Sequence, residues 1–153
     1  MELLSVPANL SRTDSCTQPW PKTDVIVSVL PLGLRLPEPV ELPFGPTREA
    51  DVASIYWAAE ALNPGGRAVL LTSRGWTGRT GSSARLRQWL TENIRVTALI
   101  GLPALNKATA LQSLLVVIDK TPQGDTVIAD LGADWLNQLS PDTDLWNQIA
   151  RAT

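Results

Sequence analysis

Two stretches of this sequence hold residue types that could do chemistry. Around Gly75, Gly78 and Gly81 stand Arg74, Arg79, Arg85 and Arg87. Glycine lets backbone amides approach a ligand and guanidinium groups favour an anion. The cluster is therefore a candidate phosphate or nucleic-acid contact at a helix N-terminus, with Trp76 able to stack beside it. Its spacing matches no P-loop, and a solvated turn with surface arginines accounts for it as well. The second stretch, Ser28-Val29-Leu30-Pro31-Leu32-Gly33, closes an apolar run. Its simplest reading is a buried strand entering a loop.

Composition removes several chemistries. The chain has 153 residues, 13 Lys+Arg, 15 Asp+Glu and no histidine, for a net charge of −2. Without histidine there is no Ser-His-Asp triad, no imidazole base and no histidine metal site. The single cysteine, Cys16, excludes an intrachain disulfide and a cysteine-rich zinc site, so no metal is expected. Cys16 reads as a bystander in a polar, flexible segment. The slight negative charge argues against strong binding of nucleic acid by the chain alone, since duplex binding rests largely on phosphate neutralisation. No basic-then-apolar leader opens the sequence, and no apolar run reaches the roughly 18 residues of a membrane span. A cytoplasmic, non-membrane protein is expected.

The elements that would position these residues can be read from periodicity. Residues 1–23 read as irregular, because Pro7, Pro19 and Pro21 break helices. Asp24–Leu30 reads as a strand, apolar enough to be buried on both faces as in a parallel sheet. Residues 31–46, with Pro37, Pro39 and Pro43, read as a loop. Thr47 is the expected N-cap of a helix carrying Val52, Ile55, Tyr56, Ala59 and Leu62, ended by Asn63-Pro64-Gly65-Gly66. A strand over Arg67–Thr72 and a turn over Ser73–Gly81 follow. Ser82 or Ser83 then caps a short helix with Leu86, Trp89 and Leu90 on its apolar face. Strands are expected at Arg95–Ile100, Leu111–Asp119 and Thr126–Ala129, the last two forming a hairpin. Residues 131–153 read as two short helices parted at Ser140-Pro141, with Trp135, Leu139, Leu145, Trp146 and Ile149 as buried anchors. The alternation defines a single α/β domain over residues 1–153, with its core at 24–130. Trp57 and Trp76 are candidates for a protein interface.

Two segments carry a family resemblance. Leu62-Asn63-Pro64-Gly65-Gly66 feeding Ala68-Val69-Leu70-Leu71 resembles the late part of class I S-adenosylmethionine-dependent methyltransferases. Asp24-Val25-Ile26-Val27-Ser28-Val29-Leu30-Pro31-Leu32-Gly33 is similar to the D-x-I-x-S-N-P-P-F/Y-G strand and loop of adenine-specific DNA methyltransferases, above all the methylation subunits of type I restriction-modification systems. Asp51–Leu62, Ser83–Ala104 and Leu111–Lys120 fit the same family in order and spacing. The likeness runs from about Asp14 to Asp130.

The resemblance implies the second half of a Rossmann-like methyltransferase sheet, completed by a C-terminal β-hairpin and short helices. In the family a flipped adenine is held by the Asn oxygen and the next backbone carbonyl, and the aromatic residue stacks on the base. Here those positions are Val29, Leu30 and Leu32. Val29 has no acceptor and Leu32 no π-face, so no catalytic residue is intact. The family's Gly-rich S-adenosylmethionine turn has no counterpart before Asp24, and no cofactor is expected for this chain alone. The expected function is a truncated, degenerate methyltransferase-like protein acting as a scaffold or regulatory partner. Half of a split enzyme and an unrelated α/β interaction module remain as alternatives. The Asp24–Leu30 edge is expected to take a partner supplying the other half-domain, or a second copy, unless Leu3–Val6 folds over it. DNA would be bound only within such a complex.

Overall fold

The computed structural model describes residues 10–104, 112–122 and 124–151. Its elements are β1 (Thr23–Val29), β2 (Arg35–Val40), β3 (Thr47–Glu49), α1 (Ala50–Ala61), β4 (Leu62–Ser73), α2 (Ser82–Asn93), β5 (Arg95–Leu102), β6 (Ser113–Asp119), β7 (Val127–Asp130), α3 (Trp135–Gln138) and α4 (Asp144–Arg151). Five strands form one sheet in the order β1-β4-β6-β5-β7. β1 runs parallel to β4, and β7 parallel to β5, while β6 is antiparallel to both of its neighbours. The expected partner of the last strand needs correction. β7 pairs with β5 and not with β6, so the antiparallel pair near the C-terminus is β5 with β6.

Both sheet faces are apolar, as the near-continuous Val/Leu/Ile runs require. On the first face, Ile26, Leu30, Ala68, Leu70, Leu114, Val116 and Ile118 pack with α1 and α2 in the main core. Helix α1 is buried nearly all round, because β2 and β3 lie on its far side and contribute Leu36 and Val40 to that core. On the second face, Ala98, Ile100, Leu102 and Val117 form a smaller cluster under Trp135, Leu139 and Ile149. That cover stops short of β1. Val25, Val27 and Val29 share this face at alternate positions and stand 66%, 80% and 72% exposed. The expectation that β1 is buried on both faces is therefore corrected: among the described residues it is an edge strand, covered on one face only. Leu3–Val6 lies outside the described residues.

Four further expectations change. The proline-rich stretch is not a structureless loop: β2 pairs antiparallel with β3, with Pro37 and Pro39 between its two register pairs, Arg35 with Glu49 and Val40 with Thr47. Prolines are tolerated there because a two-stranded edge leaves positions that need no N–H donor. Thr47 is not an N-cap; it opens β3, and its hydroxyl accepts the Glu49 N–H at 3.0 Å. Asn63–Gly66 does not separate helix from strand, because β4 begins at Leu62; Gly65, at φ +82°, takes the turn within it. The C-terminal anchors are half-buried, and Trp146 is 45% exposed. Among the described residues no helix is long and apolar enough to cross a membrane.

Candidate functional site

Strand β1 and strand β4 deliver the Ser28–Gly33 motif and the arginine turn to the same end of the sheet. The Leu30 N–H bonds to Leu71 O at 2.8 Å, extending the parallel pairing into the motif. Ligands of α/β sheets sit in the crevice beyond the carboxyl ends of parallel strands. Two clefts open there. One, of about 580 Å³, is lined by Gly33, Ser73, Arg74, Gly75, Thr77, Gly78, Arg79 and Gln112. The other, of about 310 Å³, lies where residues 13–21 cross the end of β1; Thr13, Ser15, Trp20, Ser28, Val29, Pro31 and Ser54 are among its walls. The second cleft offers hydroxyls and an indole but no titratable side chain, so it holds no acid or base.

Within the motif, the side chains point to opposite faces, as strand geometry dictates. Leu30 is buried in the core and Leu32 is half-buried. Val29 projects to the uncovered face. The position where the resembled family places an amide oxygen therefore presents two methyl groups.

The arginines are divided. Arg74 and Arg79 line the larger cleft, whereas Arg85 and Arg87 do not. Arg74 follows β4 and forms a bidentate pair with Asp130 of β7, at 2.8 and 3.3 Å. Gly101 of β5 makes room for it, because a Cβ there would strike Asp130 Oδ1. Arg79 bridges Asp51 Oδ2 at 2.9 Å and Glu49 Oε2 at 3.2 Å. Arg85 donates to Pro46 O, and Arg87 to Trp76 O and Arg79 O. These guanidinium groups already have acceptors. A phosphate would have to share or break those bonds.

Sequence reading missed the acidic side of this network. Asp51, in the first turn of α1, is buried; it accepts Ser73 Oγ at 2.6 Å besides Arg79. Glu49 accepts the hydroxyls of Ser82 at 2.6 Å and Ser83 at 2.7 Å. The expected serine N-cap is thus corrected: Gly81 occupies that position at φ +68°, and both serines turn to Glu49. A carboxylate near the start of α2 also suits the helix dipole. The available signal was Asp51 itself, an acid beside the apolar positions of a largely apolar helix, which demands a partner if buried.

Two other expectations are overturned. Cys16 is buried against Ser54, with Sγ to Oγ at 3.6 Å, and is part of the core. Trp76 is 2% exposed and cannot stack on a ligand or a partner. Trp57 is half-buried and donates to Cys16 O at 3.1 Å.

At the opposite end of the sheet lies a second ionic cluster, whose Arg67 also borders an apolar cleft. Asp119 of β6 accepts two bonds from Arg67 of β4, at 2.6 and 2.8 Å, and one from Thr97 Oγ1 of β5. Burial pushes the Asp119 carboxyl up. The bonds from Arg67 and Thr97, with the charges of Arg67 and Arg95, outweigh that effect and hold it below its ordinary value. The bond to Asp119 raises Arg67 in turn. No group of three or more potential metal-ligating side chains occurs among the described residues.

The mixed five-stranded sheet, with β1 parallel to β4 and helices on both faces, has the fold of class I methyltransferases. The family profile of N-6 DNA methylases matches residues 12–138, and the chain belongs to that family. Solved structures agree on the fold. A type I restriction-modification system described for its complex assembly and conformational transition aligns with a TM-score of 0.71 at 17% identity, covering 85% of this chain and 28% of that one. A class I S-adenosylmethionine-dependent methyltransferase from Listeria monocytogenes aligns at 0.65 and 20% identity, over 88% and 45% of the two chains. The M protein of the type I restriction enzyme EcoKI aligns at 0.62 and 18%, over 72% and 26%. The chain thus spans less than half the length of each of these structures. No curated protein matches significantly.

The family implies S-adenosylmethionine. The described residues do not fit it. Gly33 leads into β2 rather than a helix, and the start of α2 already lies against the Glu49 carboxylate. No step is derived through that cofactor.

Proposed function

We propose that this chain is a degenerate DNA N6-adenine methyltransferase segment, inactive alone, that serves as a scaffold or regulatory partner in a cytoplasmic restriction-modification assembly. One observation carries the reading. Val29, Leu30 and Leu32 stand where the resembled family has Asn, Pro and an aromatic residue, and Val29 is directed to the uncovered sheet face. The backbone carbonyl that follows Val29 is a single acceptor, too little to orient an exocyclic amine. The test is methyl transfer from labelled S-adenosylmethionine to adenine-containing duplex DNA by the purified chain, with calorimetric titration of the same cofactor. Incorporation at the level of the blank and no saturable heat are expected. Turnover, or saturable binding near micromolar, overturns the reading.

A split enzyme is favoured by a different observation. The outer edge of β1 is unpaired among the described strands, and its three valines are bare. An unpaired apolar edge is a template for another strand. A partner carrying the Gly-rich cofactor turn would complete the sheet there, and DNA contact through Arg74 or Arg79 would arise only in that complex. A second copy at the same edge is the competing arrangement, and scattering mass separates the two. In a reconstituted pair, Val29→Asn with Leu30→Pro and Leu32→Tyr should raise methyl transfer; no gain rules out inherited geometry.

A further inference from the structure

Helix α4 differs from the rest of the molecule in three ways. It lies at Asp144–Arg151, beyond residues 12–138 that carry the family match. None of its residues is fully buried, although Leu145, Trp146 and Ile149 fall on one side of it. It also borders a mainly apolar, partly open cleft of about 300 Å³, where Trp146 and Ile149 face Val69, Leu115 and Val117 and Arg67 stands at the side. A helix sealed into a core would close such a cleft, because interiors are as dense as organic crystals. Its start is held by local bonds, Trp146 N–H to Thr143 Oγ1 at 3.3 Å and Asn147 N–H to Thr143 O at 3.0 Å. Eight residues are too few to keep a helix formed without a surface to rest on.

We infer that α4 is a displaceable cover. It leaves the sheet as a unit while the α/β core stays folded, and in doing so it uncovers Val69, Leu115 and Val117. With α4 seated, the valine column of β1 is the part of this apolar strip that stands exposed. With α4 lifted, that column becomes continuous with the β4 and β6 strip beside it, since Val27 pairs with Val69 and Val69 with Val117. The inference concerns the resting molecule and does not depend on the proposed function.

Hydrogen exchange on the full chain tests it. Amides of α4 should exchange at least about 100-fold faster than those of α1, as for a locally opening unit. Ile149→Ala should speed α4 exchange further, while Ala150→Leu, which adds volume at the cleft, should slow it. Both variants should leave α1 exchange unchanged. Protection of α4 equal to that of α1 overturns the inference. So does an Ile149→Ala variant in which α1 and α4 accelerate together, because the helix is then part of the core.

Discussion

The two faces of the sheet are built from similar side chains and have different fates. On the face of Ile26, Leu70, Val116 and Ile118, two twelve-residue helices exclude water, and the largest side chains are wholly buried. On the face of Val27, Val69, Leu115 and Val117, a four-residue and an eight-residue helix cover only part of the strip, and β1 is bare. Hydrophobic sequence alone therefore does not decide burial; the elements available to cover a face do. The covered face holds the fold. The uncovered one is where a partner has most to gain, at about 25 cal/mol per Å² of apolar area removed from water.

Substitutions can break or sharpen this contrast. The largest effect belongs to Leu70→Ala, which opens a cavity in the covered face and should cost about 2–5 kcal/mol in denaturant unfolding. A loss below about 1 kcal/mol would mean the two faces are equally loose. Next comes Asp51→Asn, which leaves Ser73 and Arg79 facing a weaker acceptor. A loss of about 1–3 kcal/mol is expected, because a buried hydrogen bond loses its charge while Arg79 can still turn to solvent. An unchanged midpoint would show the network to be idle.

A third effect is confined to acid. The native Asp119 carboxyl titrates below its unfolded value of about 3.9, so its contribution is complete above that pH and fades as the pH falls through the native value. Stability should decline as the pH is lowered past about 4, and Asp119→Asn should flatten that limb. An equally steep limb in the variant would assign acid sensitivity elsewhere. The smallest effect is Val27→Thr, which should change stability by no more than about 0.5 kcal/mol while reducing self-association or partner capture. A large loss of stability would show that β1 is covered after all.

Much of the fold was legible because it rests on local pattern. The runs at Asp24–Leu30, Ala68–Leu71 and Leu114–Ile118 are strands, and the two long helices fall where their apolar spacing places them. What escaped depends on distant partners. Pro37 and Pro39 read as strand breakers, yet β3 supplies a neighbour that does not need their donors. Ser82 and Ser83 read as caps until Glu49, more than thirty residues earlier, claims their hydroxyls. The candidate site was half legible. Ser28–Gly33 and the arginine turn do meet at one sheet end. The acids Asp51, Glu49 and Asp130, which occupy the arginines, carry no spacing signal because they reach them from other elements.

The Asp119 cluster has a consequence for how the chain finds its pairing. Strand β6 reads Leu-Leu-Val-Val-Ile and is the last of the three central strands in sequence. Sliding it by two residues along β4 or β5 would keep every apolar side chain on an apolar face. Nothing in the aliphatic surface forbids that slip. Asp119 does. Arg67 on one neighbour and Thr97 on the other meet it only in the native alignment, and a shifted strand would leave a carboxylate out of water without a counter-charge. The ionic contact thus works as a proofreading mark on an otherwise repetitive strand, setting the aligned sheet below its shifted alternatives in free energy.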